Sequence, residues 1–260
     1  MPYKLGKKPA RFPKELAKLR DRLVAPLPPP VLPFGYGLMD TYPMAENDTY
    51  GDCTIAGKVH CDEVVATVLQ QPYTYPGDAA VLAGYCQLLG CTVQQLESDP
   101  QQYDTGLDLA TVIQAWSAPG GFLGSQIVGA ASIDKSDYEL LQQALYSFGF
   151  LYVGVQLPTT AQTQFPGLWH NVSTGQPIEG GHCIVLNGAQ TTVGLAPTHE
   201  GLNLITWGAD IECTEAWWGN FGEEAWCVIP AAYEAAKHDA LTSIDLTAMK
   251  ADIAALQAAN

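Results

Sequence analysis

The run Asn47-Asp48-Thr49-Tyr50-Gly51-Asp52-Cys53-Thr54-Ile55-Ala56-Gly57 constrains this chain more than any other. Polar residues and glycine end at one cysteine. From there Ile55, Ala56, Val59, Val64, Val65 and Val68 recur at helical spacing. The pattern predicts a loop that delivers a thiol to the first turn of a helix running from Cys53 to about Leu69. Unpaired backbone N–H groups and the positive end of the helix dipole favour a thiolate at such a place. A buried cysteine that packs as a small hydrophobe is the plainer reading of the stretch taken alone.

Further helices are expected over 13–24, 78–89, 92–98, after Gly106-Leu107-Asp108, from Ser136 (as N-cap, with Glu139 completing a capping box) to Gly149, and over 214–221. Strands are expected over 125–133, 150–157, 181–188, 202–207 and 225–229. Helices come first and strands later, which predicts an α+β fold. Three regions follow: a basic N-terminal arm with a Pro-rich linker (1–33), a main domain (34–235) and a C-terminal helical tail (236–260).

Charge divides the same way. Residues 1–22 carry eight basic side chains against two acidic ones, whereas the whole chain has a net charge of −15. An acidic body argues against nucleic-acid binding, and the arm is expected to lie on it. No apolar run approaches the ~18 residues of a membrane span, and no N-terminal apolar segment reads as a secretion signal. Seven cysteines without regular spacing fit free thiols in a reducing compartment. The sequon Asn171-Val172-Ser173 is read as chance.

The second informative stretch is Gly180-Gly181-His182-Cys183-Ile184-Val185-Leu186. A lone histidine at the start of a strand is usually structural. His182, however, lies 129 residues after Cys53, and in papain-like enzymes the histidine follows the cysteine by ~130–150 residues. A thiol at a helix start facing an imidazole on a sheet can exchange a proton and act as a nucleophile.

On these residues the chain resembles the papain-like cysteine peptidase superfamily over roughly 40–230. Gly51-Asp52-Cys53 is similar to the family's Gly-Ser-Cys. Gly-Gly-His182 resembles its histidine strand, and Thr206-Trp207-Gly208 with Trp217-Trp218-Gly219 resembles its closing motifs. The resemblance implies a papain-like fold, with a helical half carrying Cys53 and a twisted antiparallel sheet carrying His182. It implies cysteine-dependent hydrolysis of a peptide or amide bond, without a metal or organic cofactor. Cys53 would be the nucleophile and His182 the general base, then acid. Asn47 stands six residues before Cys53, where the family has an oxyanion-hole Gln.

Three positions depart from the family. Ile205 falls where the family has an Asn that orients the histidine, leaving Thr206, Asn203 and Asn187 as substitutes. Tyr50 replaces a disulfide-forming cysteine. Asp52 beside Cys53 opposes a thiolate. More narrowly, Leu5-Gly-Lys-Lys-Pro-Ala-Arg11 and Asn47-Asp-Thr-Tyr-Gly-Asp-Cys53 resemble a group of papain-fold proteins from bacteria and tailed phages. That likeness implies a cytoplasmic or phage-particle setting. It keeps open a catalytically weak structural protein, self-associated or attached to a virion through arm and tail.

Clusters that suggest metal do not fit. Cys53 and Cys61 are about 12 Å apart along one helix. Ser132-Ile133-Asp134-Lys135 lacks the companion motifs of the serine enzymes it resembles.

Overall fold

The computed structural model describes residues 3–37, 41–170, 175–191 and 200–259. The sequon and His199 lie outside them. In chain order the elements are β1 (Phe34–Gly35), α1 (Cys53–Val68), α2 (Asp78–Leu89), α3 (Val93–Ser98), α4 (Pro100–Tyr103), α5 (Leu109–Ser117), β2 (Ile127–Ile133), α6 (Tyr138–Phe148), β3 (Leu151–Pro158), α7 (Thr159–Gln164), β4 (Ile178–Gln190), β5 (Gly201–Thr206), β6 (Ala209–Thr214), α8 (Glu215–Phe221), β7 (Gly222–Pro230), α9 (Ala231–Ala236) and α10 (Leu246–Ala258). Five helices precede the main run of strands, so the α+β reading holds.

The strands form one antiparallel sheet in the order β2-β7-β3-β4-β5-β6, with β1 added against β4. α1 lies across it and is buried along its first two and a half turns, Lys58 and His60 included. A helix enclosed on most sides needs apolar or paired residues all round. Lys58 meets this by donating to Asp62 at 2.6 Å and to the Leu123 carbonyl at 3.2 Å. Two contacts fix α1 on the sheet. The Tyr152 hydroxyl of β3 donates to the Thr54 carbonyl at 2.7 Å. At Gly57 a Cβ would come within 2.8 Å of the Cys183 sulfur, so only glycine lets helix and β4 approach this closely.

Two local expectations fail. Residues 13–24 do not form a helix beyond a 3-10 turn at Leu19–Arg22. Ser132 donates instead to the Ala17 carbonyl at 3.1 Å, and Lys18 bridges Ser132. This segment satisfies backbone groups at the open edge of β2, and that edge outweighs its helical pattern. α6 is capped by Asp137, which accepts from Leu140 N–H at 3.3 Å, and not by Ser136, whose hydroxyl turns back to Asp134 at 2.7 Å. The C-terminal helix α10 packs Met249 and Ile253 inward, with Met249 against Gly129 of β2.

Candidate functional site

Cys53 opens α1, and Asp52 is its N-cap residue but makes no side-chain cap bond. The backbone N–H groups of Cys183 and Gly6 lie near the Cys53 sulfur. The thiol therefore lies near the backbone of the residue that follows His182 on β4. Burial pushes the Cys53 thiol up to about 11, with the two N–H groups opposing and Asp52 adding to the rise. Asp52 is itself fully buried, and neither of its carboxylate oxygens has a well-formed hydrogen bond. Burial raises its pKa well above the ordinary carboxylate range, with Asn47 opposing.

His182 is completely buried. Its Nε2 lies 2.7 Å from the Thr206 hydroxyl oxygen, and Nδ1 has no hydrogen-bond partner among the described residues. Burial, with His60 nearby, lowers the ring to about 3. It is neutral at pH 7, and in the tautomer whose Nε2–H donates to Thr206, Nδ1 is the free base. Of the three substitute orienters, Thr206 alone meets the ring. Asn203 accepts from Gln190 at 2.7 Å. Asn187 donates to Asp210 at 2.8 Å and to the Tyr36 carbonyl at 3.1 Å. Ile205 is core.

Trp207 stacks on His182 at 4.6 Å between ring centroids. Its φ of +42° is an uncommon value for a bulky residue. The tight β5–β6 turn holds it, and the reward is a ring laid over the imidazole.

Asn47 is buried close to both Asp52 and Tyr50. One of its amide hydrogens goes to the Tyr50 carbonyl at 3.3 Å, which leaves the other for a different acceptor. His60 donates to the Pro43 carbonyl at 2.8 Å and is held low, at about 4, by burial. No group of metal-ligating side chains occurs among the described residues. A hollow of about 740 Å³ lined by Lys135, Tyr138, Glu215 and Trp218 contains none of the candidate residues.

What sequence reading missed is the occupant of the cleft. Residues 3–8 of the arm run through it as an extended strand. Leu107 N–H donates to the Gly6 carbonyl at 2.9 Å, Lys8 N–H to the Leu107 carbonyl at 2.9 Å, and Lys7 N–H to the Gly181 carbonyl at 3.1 Å. Tyr3 stacks on Trp207 at 4.7 Å. Gly6 is squeezed so tightly that a Cβ there would lie 1.7 Å from the Gly51 carbonyl oxygen. The Gly6 carbonyl is thus turned to Leu107. The Leu-Gly-Lys run carried the signal: a glycine in a basic arm ahead of a Pro-rich linker.

No family model and no curated protein sequence matches this chain. Solved structures do. Xylellain, a cysteine protease from Xylella fastidiosa, aligns over 87% of this chain and 96% of its own with a TM-score of 0.56 at 12% identity. A structure from work on the mite allergens Blo t 1 and Der p 1 aligns over 83% and 75% with a TM-score of 0.54 at 9% identity. The fold is papain-like. Procathepsin B of Trypanosoma congolense, with a TM-score of 0.50 at 11% identity over 87% of this chain and 86% of its own, agrees. At these identities the likeness speaks for architecture alone, and function has to be argued from the site.

Proposed function

We propose that the chain is a cysteine-dependent hydrolase of peptide or amide bonds whose cleft is closed by its own N-terminal arm. The observation that carries this reading is the His182–Thr206 bond beside Cys53. A threonine hydroxyl anchors the imidazole, and the tautomer that donates to it leaves the opposite nitrogen free, on the strand whose next residue lies near the thiol.

With the arm withdrawn, water returns and the burial that holds Cys53 high and His182 low is relieved. His182 Nδ1 takes the thiol proton, and the thiolate adds to the substrate carbonyl carbon. The resulting oxyanion meets N–H groups at the start of α1, which no intrahelical acceptor occupies, and the Asn47 amide once it turns from Asp52. The imidazolium then protonates the leaving amine as the C–N bond breaks. Water, deprotonated by His182, releases the acid and restores the thiol. Thr206 is a positioning residue here, since it acts through the ring.

A second reading has an observation of its own. No hydrogen bond joins Cys53 and His182, and both are neutral at pH 7. A papain-fold structural or binding protein with a silent site, self-associated or held in a virion, matches that state. Turnover of fluorogenic peptide amides by full-length Gly6→Ala separates the two. The hydrolase reading expects turnover that vanishes in Gly6→Ala/Cys53→Ala and Gly6→Ala/His182→Ala. Absence of turnover while Cys53 is accessible would leave the structural reading standing.

A further inference from the structure

The arm is held in the cleft partly by main-chain bonds, which any peptide could make, and partly by one side chain. Lys7 is completely buried. Its Nζ ion-pairs with Glu223, lies 2.9 Å from Glu224 and donates to the Lys8 carbonyl at 3.0 Å. Its stem runs where a Cβ on Gly154 of β3 would lie 1.9 Å from Lys7 Cε. On Gly181 a Cβ would lie 2.3 Å from the Lys7 carbonyl oxygen. Glycine inside two paired central strands sacrifices packing and backbone entropy, and here the vacated space is a slot the width of a lysine.

The glutamates are aimed at this slot by an irregularity. Neighbours on a strand point to opposite faces, yet Glu223 and Glu224 both reach one ammonium. The β3–β7 register shifts at that point, where Gly154 pairs Glu224 but Val155 pairs Gly222. Such a bulge re-aims a side chain. Trp226 fixes the second oxygen of Glu224 through an indole N–H at 2.8 Å. Next along the arm, Gly6 packs on Gly51, two residues before Cys53.

We infer that the slot formed by Gly154, Gly181, Glu223 and Glu224 is a subsite for a lysine side chain of a peptide bound in the cleft, and that Lys7 occupies it as a stand-in. This rests on the hydrolase reading only for its consequence, a substrate carrying lysine one residue from the position that meets Cys53. Binding itself is separable from hydrolysis.

The test uses full-length Gly6→Ala, in which the added methyl drives the arm from the cleft, and reads protection of Cys53 from iodoacetamide. Two added peptides of residues 3–11 are compared, one natural and one with norleucine in place of the lysine at position 7. The lysine peptide should half-protect at a concentration about tenfold lower or less, the scale of a buried charged hydrogen bond. Glu224→Gln in the same background should erase that preference. Equal protection by both peptides, or a preference that survives Glu224→Gln, overturns the subsite. Should Gly6→Ala fail to fold, by circular dichroism and melting, full-length Lys7→Met, which removes the charge that holds the arm, serves for the same comparison. Lysine-selective protection without turnover of lysine peptides keeps the subsite and removes the hydrolase reading.

Discussion

The two ends of the chain are fastened to the same body by different physics. The C-terminal helix is held by burial: Met249 is completely enclosed against β2, and Ile253 and Leu256 are nearly so. The first residues of the N-terminal arm, 3–8, are held by main-chain hydrogen bonds, a tight glycine contact, the Lys7 charge and the Tyr3 ring on Trp207, and only further along does the arm bury Leu16, Leu19 and Leu27 in the core. Besides Lys7, Arg11 meets Asp108, Arg20 meets Asp137, and Arg22 meets Asp252 at 2.8 Å. An apolar contact cannot be withdrawn without creating a cavity. A polar strand can leave if water and a competitor satisfy the groups it abandons. On the proposed reading the tail belongs to the core, and residues 3–8 are the removable occupant of the cleft.

The largest expected effect falls on the tail. Met249→Ala should cost about 2–5 kcal/mol of stability, the usual range for a buried large-to-small change, while Cys53 stays protected. A melting curve checks the first part and thiol labelling the second. Lys7→Met should do the reverse. Stranding Glu223 and Glu224 in a closed slot would cost about 3–5 kcal/mol, but the arm can lift and let water reach them. The melting loss should then be smaller than for Met249→Ala, and Cys53 labelling should rise at least about tenfold. Equal melting losses with Cys53 still protected would mean the arm is as much core as the tail.

Within the arm-displaced protein, Thr206→Val should lower kcat by about 10²-fold, with KM little changed, because the ring loses its anchor. Thr206→Ser should recover most of it. A loss confined to KM would take Thr206 out of the positioning role.

The smallest effect is with pH. The pull of Lys7 lowers Glu223 below its ordinary value of 4.5, against a burial cost that works the other way. A carboxyl with a depressed folded pKa stabilises the docked arm above its ordinary value, and that contribution is lost as pH falls through the folded one. Glu224, raised by burial, works in the opposite sense and offsets part of the change. Arm release should therefore increase modestly below about pH 4.5, read with a disulfide probe that reacts with thiols in acid. In Glu223→Gln that rise should disappear. A rise of the same size in that variant would assign it to other groups.

Much of this was legible in the residues, and what was not has identifiable causes. The helix from Cys53 and the strand from His182 announce themselves through periodicity and a Gly-Gly break, and both lie where expected. Thr206 was one of three weak candidates, because a strand pattern gives a side's direction but not which polar group meets a ring across two strands. A strand was expected only from Ala225, which leaves Glu223 and Glu224 outside it. The strand begins at Gly222, and only the bulge turns both carboxylates toward one point. The arm was expected to lie on the acidic body, but not in the cleft. Its composition is that of a linker, and its partners lie near residues 51, 107, 181 and 224, too scattered in sequence for any local pattern to disclose.

The central claim is that Cys53 and His182 form a reactive pair covered by residues 3–8. Seven free cysteines are present, and Cys91 is the only one of them not buried. Site-resolved iodoacetamide labelling of three full-length proteins tests the claim most directly. In the wild type, labelling should fall on Cys91 and spare Cys53. In Gly6→Ala, Cys53 should become the fastest-reacting thiol, and in Gly6→Ala/His182→Ala its rate should drop back toward that of an ordinary exposed cysteine. Cys53 labelling that is the same in wild type and Gly6→Ala, or indifferent to His182, would contradict the account.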